Sequence, residues 1–193
     1  MPRRARLVIP EMPHHLIQRG NRNQKVFFSD QDKRDYLEFM KEFALKAGLT
    51  FWAYCLMDNH VHFITVPKTP ESLARGFGEA HRHYTRMIHL RENWRGYLWQ
   101  GRFSSFPLNE LHLHAAVRYV EQNPVRAGMV SNAQDYRFSS AQAHVFKRQD
   151  PVCSDFFMLH DIPDWEKYLA TPLSQKELTE LRYHIKTGSI LDK

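Results

Sequence analysis

Two apolar, aromatic-rich runs flanking a short polar turn constrain this chain more than any other feature. Leu49-Thr50-Phe51-Trp52-Ala53-Tyr54-Cys55-Leu56-Met57 reads as a strand. Asp58-Asn59 are turn residues, and His60-Val61-His62-Phe63-Ile64-Thr65-Val66 reads as a second strand closed by Pro67. The pair predicts a β-hairpin with its turn beside His60.

The flanking segments have other periods. His14–Arg19 reads as a short strand ending at Gly20, before the polar loop Asn21-Arg22-Asn23-Gln24. Tyr36, Leu37, Met40, Phe43, Ala44 and Ala47 recur at helical spacing, with Ser29 or Asp30 as the cap and Gly48 as the stop. A second helix opens at Pro70-Glu71-Ser72 and turns Leu73, Phe77, Ala80, Tyr84, Met87 and Ile88 inward. Tyr97–Gln100 and Phe103–Leu108 read as strand or loop around Gly101. A third helix runs from Asn109 to Gln122 and ends near Asn123-Pro124, because a residue before proline disfavours the α conformation. A short helix starts at Ser139 or Ser140. A last one follows Ser174, where Ser174-x-x-Glu177 resembles a capping box. The order β-α-β-β-α-β-α predicts an α+β sandwich, an antiparallel sheet with helices on one face, resembling a ferredoxin-like or RNA-recognition-type core.

Composition narrows the class. The 193 residues are 42% hydrophobic and 25% charged, which fits one globular domain and excludes disorder, coiled coil and a disulfide-stapled mini-protein. Cys55 and Cys153 lie far apart in no metal spacing, as expected of reduced thiols in a cytoplasmic protein. The basic N-terminus is followed only by Leu7-Val8-Ile9 before Pro10, too short for a signal sequence, and no apolar run suits a bilayer span. The expectation is a soluble protein that meets no membrane. A net charge of +6 favours a polyanionic partner.

Twelve histidines are unusually many, and six form three His-x-His pairs: His60/His62, His81/His83 and His112/His114. Side chains two apart on a strand point to the same face, whereas on a helix they diverge by about 200°. Only His60/His62 lies in a predicted strand, so only that pair can present nitrogens to one metal ion. Two imidazoles leave a site incomplete, and added oxygen donors shift the preference toward Mn²⁺ or Mg²⁺. On the third helix Tyr119 and Asn123 are four apart and share a face, with Glu121 pointing away. A tyrosine can act as a covalent nucleophile and an amide oxygen can complete a hard-cation site. Equally, Tyr119 could be core and Asn123 a helix cap.

Met57-Asp58-Asn59-His60-Val61-His62-Phe63-Ile64 resembles the His-hydrophobic-His (HUH) motif of the HUH single-strand endonucleases. Arg118-Tyr119-Val120-Glu121-Gln122-Asn123-Pro124-Val125-Arg126-Ala127-Gly128 resembles the tyrosine helix of the IS200-like transposases that use one catalytic tyrosine. Pro2-Arg3-Arg4-Ala5-Arg6, His14–Asn21 and Trp99-Gln100-Gly101-Arg102-Phe103 are similar to the REP-associated branch of that family. The resemblance implies a transposase domain over residues 1–148, followed by a partly helical extension over 149–193. It implies a divalent ion, Mg²⁺ or Mn²⁺, on His60 and His62, with Asn123 where relatives commonly place a glutamine ligand. Tyr119 would be the nucleophile, and single-stranded or hairpin DNA, such as repetitive extragenic palindromes, the substrate. The oligomeric state stays open between monomer and homodimer.

Several residues could hold DNA. Arg3, Arg4 and Arg6 form a basic arm, and Arg19, Arg22 and Lys25 follow the first strand. Trp99, Arg102 and Phe103 combine aromatic rings with a cation, as stacking on single strands requires. The remaining paired histidines, His81, His83, His112 and His114, read as surface residues. Two other readings stand beside the tyrosine enzyme: an RNA-recognition-like binding module without chemistry, and a metal nuclease that uses water and leaves Tyr119 structural.

Overall fold

The computed structural model describes residues 7–187, so Arg3, Arg4 and Arg6 lie outside the described residues. Its first six strands and α-helices are β1 (His14–Arg19), α1 (Asp30–Ala47), β2 (Leu49–Met57), β3 (His60–Pro67), α2 (Ser72–Glu92) and β4 (Ser104–Pro107). They build a four-stranded antiparallel sheet in the order β2-β3-β1-β4. Then come α3 (Glu110–Glu121), α4 (Asn123–Arg126), α5 (Ala141–Val145), α6 (Met158–Asp161), α7 (Trp165–Ala170) and α8 (Gln175–Thr187). The βαββαβ order and the strand order are those of a ferredoxin-like sandwich, as the sequence pattern suggested.

Local chemistry sets the boundaries. Ser29 caps α1 in a capping box with Asp32: the Asp32 backbone N–H donates to Ser29 Oγ, and the Asp32 carboxylate accepts from the Ser29 N–H. Gly48 ends the helix with φ 66°, a conformation that costs a glycine little. The Asp58-Asn59 turn is held from outside. Neither residue has the positive φ that two-residue hairpin turns ordinarily use. Instead Asp58 O accepts from the N–H groups of Val26 and Phe27, Asn59 O accepts from Gly20 N, and Lys33 of α1 donates to Asp58 Oδ1 at 2.9 Å. Gly20 permits this approach, since a Cβ there would lie 2.2 Å from Gln24 O. The turn beside His60 is therefore locked to β1 and α1.

One expectation needs correction: helices pack on both faces of the sheet. Leu56, Phe63 and Phe51 point toward α1 and α2, where Phe63 meets Phe51 at 4.9 Å and Phe77 at 5.3 Å between ring centroids. The alternate residues of β3 point the other way, and α3 lies across them against β2 and β3. Strand alternation made this legible in principle, because both parities of β2 and β3 are rich in residues that bury. The C-terminal helices fold back behind α3. Trp52 stacks on Phe156 at 5.2 Å, and Tyr168 Oη donates to His114 O at 2.6 Å. No helix among the described residues is long and apolar enough to cross a membrane.

Candidate active site

The site face follows from the register. In an antiparallel pair, residues directly opposite share a face. β1 and β3 pair Arg19 with His60, Ile17 with His62 and His15 with Ile64. His15, Arg19, His60 and His62 thus project from one side, toward α3. The His60 and His62 rings are 5.0 Å apart between centroids. His62 Nδ1 lies 2.9 Å from His15 Nε2, and His60 Nδ1 lies 2.6 Å from Asn59 Oδ1. Each member of the pair thereby fixes its ring through Nδ1 and keeps Nε2 as the remaining nitrogen.

Burial and nearby cations keep these rings neutral. His60 is pushed down to about 4 by desolvation first, then by Arg19 and Arg126. His15 falls to about 3 through burial and Arg126. His62 is held well below its ordinary value by burial, by its two histidine neighbours and by the same arginines. A neutral imidazole is the form that ligates a metal.

Tyr119, on the sheet-facing side of α3, sits 5.8 Å from the His62 ring and 6.0 Å from the His15 ring. The back of α3 is pinned. Fully buried Glu121 accepts from Ser140 Oγ at 2.5 Å and from Trp165 Nε1 at 2.9 Å, and lies 2.6 Å from His144 Nδ1. Burial alone would lower His144; the Glu121 carboxylate outweighs it and raises the ring's pKa. Arg118 donates to Glu177 at 2.7 Å, and the Gln122 side chain donates to Leu169 O. Residues 118, 121 and 122 thus anchor the C-terminal helices while residue 119 faces the histidines.

Asn123 does sit beside Tyr119, buried, but its Nδ2 donates to the carbonyls of Tyr119 and Val120 at 3.2 and 3.4 Å. Its amide caps α3 and leaves Oδ1 as the free acceptor. Among the described residues no group of three or more His, Cys, Asp or Glu is arranged to hold a metal ion. The donor set is therefore two imidazoles, supplemented at most by an amide oxygen.

The other histidine pairs split as helical geometry requires. His81 turns into the core, 2.8 Å from Tyr36 Oη, whereas His83 lies outside against Phe43. Reading His81 as a surface residue was wrong, because α2 buries that side against α1. His112 lies near Glu180 and His114 near Tyr168.

The DNA-binding candidates divide. Arg22, Lys25 and Arg102 are exposed and Arg19 half-buried, with Lys25 3.4 Å from Asp58. Trp99 is only 7% exposed and stacks on His81 at 4.6 Å, and Phe103 is equally buried, so neither ring can take a base. The isolated bridge between Gly20 and Trp99 draws the indole inward. Two site residues escaped the sequence reading. His15 shares strand parity with Arg19, but only the β1–β3 register shows that this is the histidine face. Arg126, two helical turns after Tyr119, lies with its guanidinium carbon 4.0 Å from the Tyr119 ring centroid. The third helix does end before Pro124, as expected, but the sequence reading did not foresee the single turn α4 that follows and carries Arg126.

A paired-histidine face on a ferredoxin-like sheet, with a tyrosine helix laid across it, defines the class. Residues 9–123 match the model of the family described as "Transposase IS200 like", and the chain belongs to that family. Among solved structures it is similar to a REP-associated tyrosine transposase bound to a REP hairpin, with 21% identity, a TM-score of 0.58, and 81% of this chain and 95% of that one covered. It is also similar, at 20% identity and a TM-score of 0.44, to a candidate transposase from Deinococcus radiodurans R1, over 63% of this chain and 97% of that one. No curated protein matches this chain significantly.

Proposed function

We propose that this transposase is a metal-dependent endonuclease and strand transferase that cuts single-stranded or hairpin DNA through a covalent tyrosine intermediate. The observation that carries the reading is the Tyr119 ring, 5.8 Å from His62 on the face that His60 shares. Tyr119 Oη attacks the phosphorus in line, the P–O3′ bond breaks, and the DNA keeps a 5′-phosphotyrosine and a free 3′-OH. The phenol proton leaves to solvent and the departing 3′ oxygen takes one up. Tyrosine ordinarily ionises near pH 10, so deprotonation accompanies attack. A second 3′-OH can reverse the step, which makes strand transfer independent of ATP.

The residues present fit a divalent ion. When bound, Mg²⁺ or Mn²⁺ supplies Lewis-acid polarisation of the phosphate. His60 and His62 would hold it through Nε2, with Asn123 Oδ1 as the supplementary oxygen. Asn59 Oδ1 accepts the His60 Nδ1 proton and so selects the required tautomer. His62 must likewise donate from Nδ1 to His15 Nε2, which leaves the His15 proton on Nδ1, a buried atom with no hydrogen-bond partner among the described residues. Arg19 lies opposite His60 in the sheet, Lys25 reaches the Asp58 turn beside it, and exposed Arg22 and Arg102 add cations that suit a phosphate backbone. The hairpin bound by the structurally similar REP-associated transposase supports DNA of that shape as the substrate. An RNA-recognition module binds on an open sheet face, and here α3 covers that face.

The test is incubation of end-labelled single-stranded hairpin DNA with the protein and Mn²⁺, read on a denaturing gel. The expected product is a protein–DNA adduct that maps to Tyr119 by peptide mass and vanishes in Tyr119→Phe, which still binds DNA. Undiminished nicking by Tyr119→Phe would indicate a water-using nuclease. Binding without any cleavage would indicate a module without chemistry.

A further inference from the structure

After α3 the chain kinks at Gln122 and makes the single turn α4, which returns Arg126 over the ring of Tyr119. Its Nη2 donates to Tyr119 O at 2.6 Å, and its backbone N–H donates to Gln122 O at 3.0 Å. That side-chain bond uses one of five guanidinium donors, and the exposed side chain turns the rest toward solvent beside the ring. Other arginines behave differently: Arg91 is matched by Asp32 and Arg118 by Glu177. Among the described residues no carboxylate pairs with Arg126 or Arg19. The loss of water where the guanidinium lies over the ring is the main influence that lowers the Arg126 pKa, and the Tyr119 hydroxyl counteracts it. Cations gathered around a tyrosine without acids to neutralise them form a site for an anion.

We propose that Arg126 is an active-site residue whose guanidinium fixes the Tyr119 ring and binds the non-bridging oxygens of the phosphodiester under attack. The proposal rests on Tyr119 being the nucleophile. As the phenol loses its proton, negative charge grows on the ring and then on the phosphoryl oxygens. A cation over the ring face favours the first, and N–H donors aimed at the phosphate favour the second. Guanidinium suits both tasks, because it stacks flat on the ring and meets two oxygens with a planar fork, which an ammonium cannot do. Arg126 lies beyond residues 9–123, the part that matches the family model.

The test compares full-length wild type, Arg126→Ala, Arg126→Lys and Tyr119→Phe at saturating labelled hairpin DNA and Mn²⁺. Adduct formation is timed on a denaturing gel and affinity is read by fluorescence anisotropy. Arg126→Ala should slow adduct formation by about 10²–10³-fold, the size of losing a pre-organised donor, with affinity changed by less than about tenfold. Arg126→Lys should recover only part of the rate. Millimolar guanidinium should accelerate Arg126→Ala and leave Tyr119→Phe inert. An Arg126→Ala rate within about threefold of wild type would overturn the proposal. So would a slow variant that neither lysine nor guanidinium restores, since Arg126 would then only pin the end of α3. An adduct formed by Tyr119→Phe would defeat the nucleophile reading itself, whereas an inert Tyr119→Phe beside a fully active Arg126→Ala defeats Arg126 alone.

Discussion

Both faces of the sheet bury histidines, and the two sets are built differently. On the α1/α2 face His81 is satisfied by its surroundings: Tyr36 Oη is 2.8 Å away, Trp99 stacks at 4.6 Å, and Phe77 packs edge-on. On the α3 face His15 and His62 take each other as partners and His60 leans on the turn; burial lowers the pKa of all three, with Arg126 adding to it throughout and Arg19 adding to it at His60 and His62. Burial depresses the pKa of both sets, so a shifted histidine alone does not mark a site. The mark is a group of imidazoles that relies on itself for partners, lies next to unpaired cations, and faces a nucleophile.

Substitution should separate the faces most sharply. His60→Ala/His62→Ala should lose Mn²⁺-dependent cleavage by on the order of 10³-fold or more, because the phosphate loses its Lewis acid. His81→Ala should retain most of the cleavage yet lose about 2–4 kcal/mol of stability, from the cavity and the unpartnered Tyr36 hydroxyl. Gel assays and urea melts of the two variants check the split. Cleavage surviving in the double variant would erase the contrast.

Much of this contrast was readable from the chain. Strand parity isolated His60/His62 from the helical pairs, and β1, the hairpin, the Ser29 cap and the Gly48 stop fall where their chemistry predicts. The failures share a cause: each required knowing what lies across a gap in sequence. Helix packing on the second face, the arrival of His15 beside His62, and the burial of Trp99 by the bridge to Gly20 are all set by long-range register. Arg126 was a different failure. Its spacing from Tyr119 is local, and α3 does end before Pro124 as expected, but the new helical turn that opens there, with proline at its well-tolerated second position, was not foreseen.

Acid should act on both faces together. The unfolded histidine value is 6.5, and the folded values are about 3 for His15 and His81 and about 4 for His60. The unfolded chain therefore binds more protons, and stability is lost as pH falls below 6.5, until the folded groups titrate. For each of His15 and His81 the loss reaches about 2 kcal/mol near pH 5. His144 runs the other way: its raised pKa gives stability that is complete below 6.5 and fades above, so it does not offset the loss. Urea melts at neutral and mildly acidic pH should show this fall, and His81→Gln should reduce its slope by one proton. Added Mn²⁺ should protect wild type at neutral pH and leave His60→Ala/His62→Ala unchanged. Equal stability at both pH values would mean that the histidines are not held neutral.

The smallest expected effect concerns which aromatic ring meets DNA. Trp99 faces inward, but the adjacent Tyr97 is 82% exposed. Gln24 Nε2 donates to the carbonyls of Tyr97 and Leu98 at 3.4 and 3.1 Å, which ties this loop to the one that carries Arg22 and Lys25. The combination of cation and aromatic ring expected at Trp99 and Arg102 is thus present two residues earlier. A base stacked on an aromatic side chain contributes about 1–3 kcal/mol. Tyr97→Ala should therefore weaken single-strand binding by roughly 30-fold, the middle of that range, and leave the melting temperature unchanged, since the ring buries almost nothing. Because stacking is uncharged, the slope of affinity against salt should stay that of wild type, whereas Arg22→Ala or Arg102→Ala should flatten it by about 0.7 per lost phosphate contact. Anisotropy titrations at several salt concentrations measure both. Unchanged affinity in Tyr97→Ala would leave the cations alone to hold the strand, and a flattened slope would mean that Tyr97 acts by placing an arginine rather than by stacking.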